Sequence, residues 1–154
     1  MNSFQFNFDQ FNNYITRTFN GAEMPDKDIP GKMNPFRPRE YQIKSAYKLL
    51  KYRNSCGEIS TSGGKTLISF MIFKYLIDCC YTKKILYIVP SVDLATQSAT
   101  RYNEYESYLK IHNHNWSIGI LKAGLRKAEK EAVESCNILF GTFQSLCRKP
   151  IEFF

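Results

Sequence analysis

Ten residues, Gly57 to Thr66 (GEISTSGGKT), limit the folds open to this chain more than any other stretch. Gly63 and Gly64 allow the backbone to curl tightly, so that the amides of Ser62 to Thr66 can converge on phosphate oxygens. Lys65 adds a positive point charge. Thr66 places a hydroxyl at the first turn of an apolar helix, where it can bind Mg²⁺ while the helix N-terminus favours negative charge. Ser55 to Ile59 reads as a short strand leading into the turn, and the whole reads as strand, phosphate loop and helix. That is the physical logic of the pattern G-x-x-x-x-G-K-[ST], with Ile59 standing where the pattern has its first glycine. A glycine-rich turn before a lysine-tipped helix is the plainer alternative. The strand before and the apolar helix after favour a nucleoside triphosphate site with Mg²⁺.

The chain has 154 residues, 44% of them hydrophobic and 15% aromatic, enough to bury one core of ordinary size, so one domain is expected. Its formal charge is +7, and residues 37–66 hold seven Lys/Arg against two acids. A basic balance around a nucleotide loop suits polyanions, both triphosphate and nucleic-acid backbone; a solvated helix face explains the charge alone equally well. Cys56, Cys79, Cys80, Cys136 and Cys147 contain no C-x-x-C pair. They are expected to be reduced and mostly buried, with no zinc site, and His112 and His114 are expected in a loop. The N-terminus lacks a basic-then-apolar signal, and apolar runs such as Phe70 to Phe73 are too short to span a bilayer. The expectation is a soluble protein of the cytoplasm with no membrane partner.

Phe8, Phe11, Ile15 and Phe19 recur at helical spacing and predict an amphipathic helix, with a strand possible over Phe4, Phe6 and Phe8. Asn20 to Phe36, carrying Pro25, Pro30, Pro35, Gly21 and Gly31, reads as a surface linker. A helix is expected from Arg37 to Arg53, with Tyr41, Ala46, Leu49 and Leu50 inward and Lys44, Lys48 and Lys51 solvated. The helix over Thr66 to Cys80 is apolar nearly all round and is expected to be packed on several sides. Lys84 to Val89 reads as a parallel strand covered on both faces, ended by Pro90. Ser91 can cap the next helix, which runs through Leu94, Ala95, Ala99 and Tyr102 with Asp93, Arg101, Glu104 and Glu106 outward. Trp116 to Leu121 and Asn137 to Phe140 read as further strands around a charged helix from Leu125 to Ser135. Alternation at this spacing implies an α/β fold with a parallel sheet flanked by helices.

Four stretches resemble, in order, the first motor domain of superfamily 2 helicases and translocases, and within it the phage UvsW type of DNA helicase. RPREYQ, with Arg39, Tyr41 and Gln42, resembles the family's adenine-reading segment, and Gln42 lies 23 residues before Lys65. STSGGKT, Ser60 to Thr66, resembles the phosphate loop, with Ser60 and Ser62 in place of its proline and first glycine. IVPSVDLATQ matches a backbone-contacting segment at Pro90, Ser91, Leu94 and Gln97. ILFGTFQSL matches a later one at Gly141, Thr142 and Gln144, and Gly124 is placed at an intervening glycine motif.

The resemblance implies a RecA-like P-loop NTPase fold over residues 37–154, preceded by an N-terminal helix and linker over residues 1–36. It implies ATP and Mg²⁺ as cofactors. Lys65 and the amides of Ser62, Gly63, Gly64, Lys65 and Thr66 would hold the phosphates, and Thr66 the metal. Gln42 would read adenine with Arg39 in support, and Pro90, Ser91, Gln97, Thr142 and Gln144 would grip nucleic acid, by preference DNA. The family's acidic Mg²⁺-binding motif would follow residues like Gly141 to Leu146, and the chain's last residue, Phe154, comes before it; Glu58, Asp78 and Asp93 do not stand in its place. The expectation is therefore an ATP-dependent helicase fragment, truncated before that motif. It would contact nucleotide without efficient turnover alone, and would need the remaining half of the motor in cis or in trans. Two other classes stay open: a non-catalytic nucleic-acid-binding module with a degenerate nucleotide loop, and a small P-loop phosphotransferase.

Overall fold

A computed structural model of the chain describes residues 6–52, 54–110, 116–122 and 124–147. The expectations for Phe4, His112 and His114 fall outside them. The chain forms two compact units, Met1–Leu76 with Glu104–His112, and Ile77–Asn103 with Asn113–Phe154.

In the first unit, α1 (Phe8–Thr18) begins where Asn7 Oδ1 accepts the amides of Asp9 at 2.7 Å and Gln10 at 3.3 Å. Phe11 and Ile15, four residues apart, are buried, and the Phe11 ring meets Tyr75 edge-on at 5.0 Å. Phe6 lies outside any regular element, so the alternative strand does not form there. The expected linker instead folds in part into an antiparallel pair, β1 (Glu23–Pro25) and β2 (Met33–Pro35). Its two prolines sit at strand ends, where a missing N–H costs little. Asp26 closes the turn by accepting the amides of Asp28 and Ile29 and the Asn34 side-chain amide, and it pairs with Lys32 at 3.0 Å. These donors, Asn34 first, lower the Asp26 pKa to about 2.

Helix α2 (Glu40–Lys51) buries Gln42, Ala46 and Leu50 and exposes Lys44, Lys48 and Lys51, as its spacing predicts. Leu49 is half-buried, whereas Tyr41 faces outward. No strand forms over Ser55 to Ile59, which holds a single β-branched residue, and the carbonyls of Ile59 and Ser60 are taken by Lys65. Helix α3 (Lys65–Asp78) buries Leu67, Ile68, Phe70, Met71, Lys74 and Tyr75, which is the all-round burial its composition predicts.

Lys74, 1% exposed, meets Glu106 at 2.9 Å. Glu106 is thus drawn inward rather than lying on an outer face, and its buried Oε2 has no hydrogen-bond partner among the described residues. Phe36 stacks on Tyr105 at 5.3 Å in the same unit, which ties the end of the linker to the core.

The second unit holds a parallel sheet in the order β3–β5–β4, from β3 (Ile85–Val89), β4 (Ile118–Leu121) and β5 (Ile138–Thr142). All five residues of the central strand β5 are buried. β3 is one of the two edge strands of this sheet, and Ile85 to Tyr87 are half-buried and Ile88 exposed, in contrast to the two-sided cover expected. Phe140 meets Tyr102 edge-on at 5.2 Å, and Tyr102 stacks on Trp116 at 6.0 Å. Helix α4 (Val92–Tyr108) places Ala95, Ala99 and Tyr102 inward, but Leu94 is exposed. Helix α5 (Lys127–Glu134) lies so close to β4 that a Cβ on Gly119 would stand 2.7 Å from the Val133 carbonyl oxygen. Four of the five cysteines, Cys56, Cys79, Cys80 and Cys147, are exposed rather than buried, because they lie at helix ends and in loops; all five are free thiols. Among the described residues no helix is long and apolar enough to cross a membrane.

Removing Glu106 alone takes its paired carboxylate away from a buried ammonium. Glu106→Ala is expected to cost about 3–5 kcal/mol in urea unfolding, while Lys74→Met with Glu106→Leu recovers most of that loss, because the pair is itself incompletely hydrogen-bonded.

Candidate nucleotide loop and sheet edge

In the first unit the loop before α3 is shaped by short-range bonds. Gly63 N–H donates to the Ser60 carbonyl at 3.0 Å, and Ile68 N–H donates to the Gly64 carbonyl at 3.0 Å, which starts the helix. Gly64 sits at φ +75°, the left-handed region that glycine enters without steric cost. A Cβ there would also run into the Gln42 side-chain amide. Ser60, Thr61 and Ser62 are exposed, as is Lys65. The Lys65 ammonium folds back to donate to the carbonyls of Ile59 at 2.7 Å and Ser60 at 3.0 Å. Among the described residues no carboxylate pairs with it. Its charge is held only by neutral acceptors, at the helix end where the amides already carry partial positive charge.

The segment RPREYQ is brought to this same loop. Gln42 is buried, and both ends of its amide are engaged: Oε1 accepts the Arg39 N–H at 2.8 Å, and Nε2 donates to the Gly63 carbonyl at 3.3 Å. Tyr41 Oη donates to the same carbonyl at 3.0 Å. The structure therefore gathers Arg39, Gln42, Ser62, Gly63, Gly64, Lys65 and Thr66 into one neighbourhood, and it adds Tyr41. Helical spacing puts Tyr41 inward with Ala46 and Leu49 while the resemblance puts it in the adenine-reading segment; the structure exposes it and brings its phenol to a loop carbonyl, a contact that periodicity does not register. A cavity of about 220 Å³ lies beside this segment, walled by Ile15, Phe19, Pro38 and Ile43 with Thr16, Asn20 and Arg37. No sequence pattern marks it, since its walls come from two helices and the turn between other elements.

In the second unit, the parallel register sets Val89 beside Thr142. Pro90 and Ser91 therefore leave β3 at the same edge at which Gln144 follows β5. Ser91 Oγ accepts the Leu94 amide at 3.3 Å and so caps α4, as expected. Thr142, buried, does the same for the short helix α6 (Phe143–Leu146), accepting the Ser145 amide at 3.2 Å. Both hydroxyls are engaged within the chain. Gln97 and Gln144 are exposed.

Residues 39–151 match the DEAD/DEAH box helicase family. The chain is 30% identical over 117 residues to the ATP-dependent DNA helicase uvsW of Enterobacteria phage T4, an alignment that covers 76% of this chain and 22% of that protein. Two crystal structures of bacteriophage T4 UvsW share the fold. One superposes with a TM-score of 0.73 over 98% of this chain and 48% of its own, and the other with 0.69 over 96% and 26%, each at 23% identity. The α/β architecture here is that of the helicase's RecA-like domain.

The contact between Gly64 and Gln42 predicts a non-additive pair. Gly64→Ala is expected to cost about 1–2 kcal/mol from backbone strain alone, and more from the clash. Adding Gln42→Ala relieves the clash, so the double variant loses less than the sum of the two in a denaturant-unfolding cycle.

Proposed function

We propose, for a chain that belongs to the DEAD/DEAH box helicase family, that the loop before α3 binds ATP with Mg²⁺ and that the chain acts within an ATP-dependent DNA helicase or translocase. One observation carries the reading: the Lys65 ammonium stands at the N-terminus of α3, held by two backbone carbonyls. The fit to a triphosphate is chemical. Exposed hydroxyls, a left-handed glycine, a helix N-terminus and a cation with no carboxylate partner among the described residues suit an anion and nothing apolar.

In this proposal Lys65 exchanges its carbonyl partners for the β and γ phosphates, and the amides from Ser62 to Thr66 close around them. The Thr66 hydroxyl would hold Mg²⁺, which would supply neutralisation of charge on the phosphates. Gln42, supported by Arg39, reads adenine. Because the same side chain bonds the Gly63 carbonyl, base recognition and loop conformation share one amide. Pro90, Ser91, Gln97, Thr142 and Gln144 contact one nucleic-acid strand at the carboxyl edge of the sheet. DNA is preferred because the curated relative is a DNA helicase. Residues 37–154 carry this chemistry, and α1, β1 and β2, within residues 1–36, precede it.

Phosphoryl transfer to water also needs a carboxylate to complete the metal site and an arginine to stabilise the transition state. We assign these to the remaining half of the motor, in cis or in trans; the chain spans 22% of the curated relative's length. Cleft closure during turnover would then move the chain along the strand.

Titrating a fluorescent ATP analogue with Mg²⁺ tests the nucleotide site. Saturable binding is expected for the native chain and a loss of at least tenfold in affinity for Lys65→Ala, which removes a charge-assisted contact of about 1.5–3 kcal/mol. Equal binding by the two proteins would refute the assignment.

A further inference from the structure

The sheet edge in the second unit carries apolar surface that the proposed backbone grip does not use. Eight large hydrophobic side chains are exposed among the described residues, and Ile88, Val92, Leu94 and Phe143 are the four in this unit. All four lie where β3 and β5 end. Ile88 is set beside Gly141 and Val89 beside Thr142, so Phe143 comes one residue past the last pair, as Pro90 does.

Phe143 is the most exposed of them at 67%, and it is firmly mounted. It follows a strand whose residues are all buried. Thr142 caps its helix, and Leu146 anchors that helix in a core with Leu121 and Leu139. A ring held in this way loses little freedom when something stacks on it.

The chemistry around it selects the occupant. The hydroxyls of Ser91 and Thr142 accept amides as helix caps, and Gln97 and Gln144 are exposed. Val89 to Gln97 and Gly141 to Cys147 contain no lysine or arginine, and their one charged residue is Asp93. Such an edge suits a base beside the backbone contacts proposed above, because a base offers a π face to a ring and hydrogen-bonding edges to amides.

We infer that Phe143 stacks on a base of single-stranded nucleic acid at this edge, with the Gln144 amide beside it. The inference rests on the nucleic-acid reading above and adds a base contact where the resemblance implies backbone contact alone.

Fluorescence anisotropy with a labelled oligothymidylate of about 15 nucleotides tests it, using the full chain, Phe143→Ala and Phe143→Trp. An exposed ring can be removed without loss of fold, which circular dichroism checks. Phe143→Ala is expected to bind about tenfold more weakly with an unchanged slope of log K against log salt. Phe143→Trp should retain affinity, and an abasic oligonucleotide should bind the native chain about as weakly as the alanine variant binds thymidylate. Native affinity in Phe143→Ala, or equal binding of abasic and intact strands, would overturn the stacking and leave the nucleic-acid reading standing. No binding of either strand by the native chain would overturn both.

Discussion

A lysine at the first position of a helix is held against the sign of the helix dipole, and that constraint organises the first unit. Lys65 opens α3 where the free amides already gather positive charge, and its ammonium turns back onto two carbonyls instead of onto an acid. Those carbonyls belong to Ile59 and Ser60, so the charge itself sets the course of the segment that precedes the turn. An anion at the helix end would relieve the repulsion and free both carbonyls at once.

The rest of the unit keeps that end of α3 in place. Its flanks are buried nearly all round, and the ion pair from Lys74 to Glu106 fixes the helix further along its length. At the N-terminal end, Tyr41 and Gln42 both donate to the Gly63 carbonyl, which ties the first turn of α2 to the loop. Gly64 has to be glycine on two counts, its left-handed backbone and the Gln42 amide pressed against it. In the second unit the sheet does comparable work with different means. A fully buried central strand delivers Thr142 to the edge, and two hydroxyls cap the two helices that begin there.

Much of this was legible in local patterns. Three-and-four spacing located α1 and the lysine face of α2, an unbroken apolar run located β5, and a serine after a proline located the start of α4. These are features whose cause lies within a few residues. The failures share a different cause. The short strands β1 and β2 depend on Asp26 collecting donors from across its turn, which no propensity encodes. The strand expected at Ser55 to Ile59 was lost because Lys65 claims the carbonyls at its end. Glu106 has the pattern of a solvated residue, yet a buried lysine from another helix draws it in. Tyr41 and the exposure of Ile88 turn on tertiary placement as well. For the candidate site, the residue types of the loop were readable from order alone, whereas the way Gln42 is occupied and the apolar character of the sheet edge were not.

The central claim, that the amides from Ser62 to Thr66 cradle phosphate, is tested most directly by hydrogen exchange of the chain with and without a non-hydrolysable ATP analogue and Mg²⁺. The account predicts slowed exchange concentrated at residues 62–66, with a smaller change at the first turn of α2 through the Gly63 carbonyl. Unchanged exchange at residues 62–66 under saturating nucleotide, or protection confined to other parts of the chain, would contradict it.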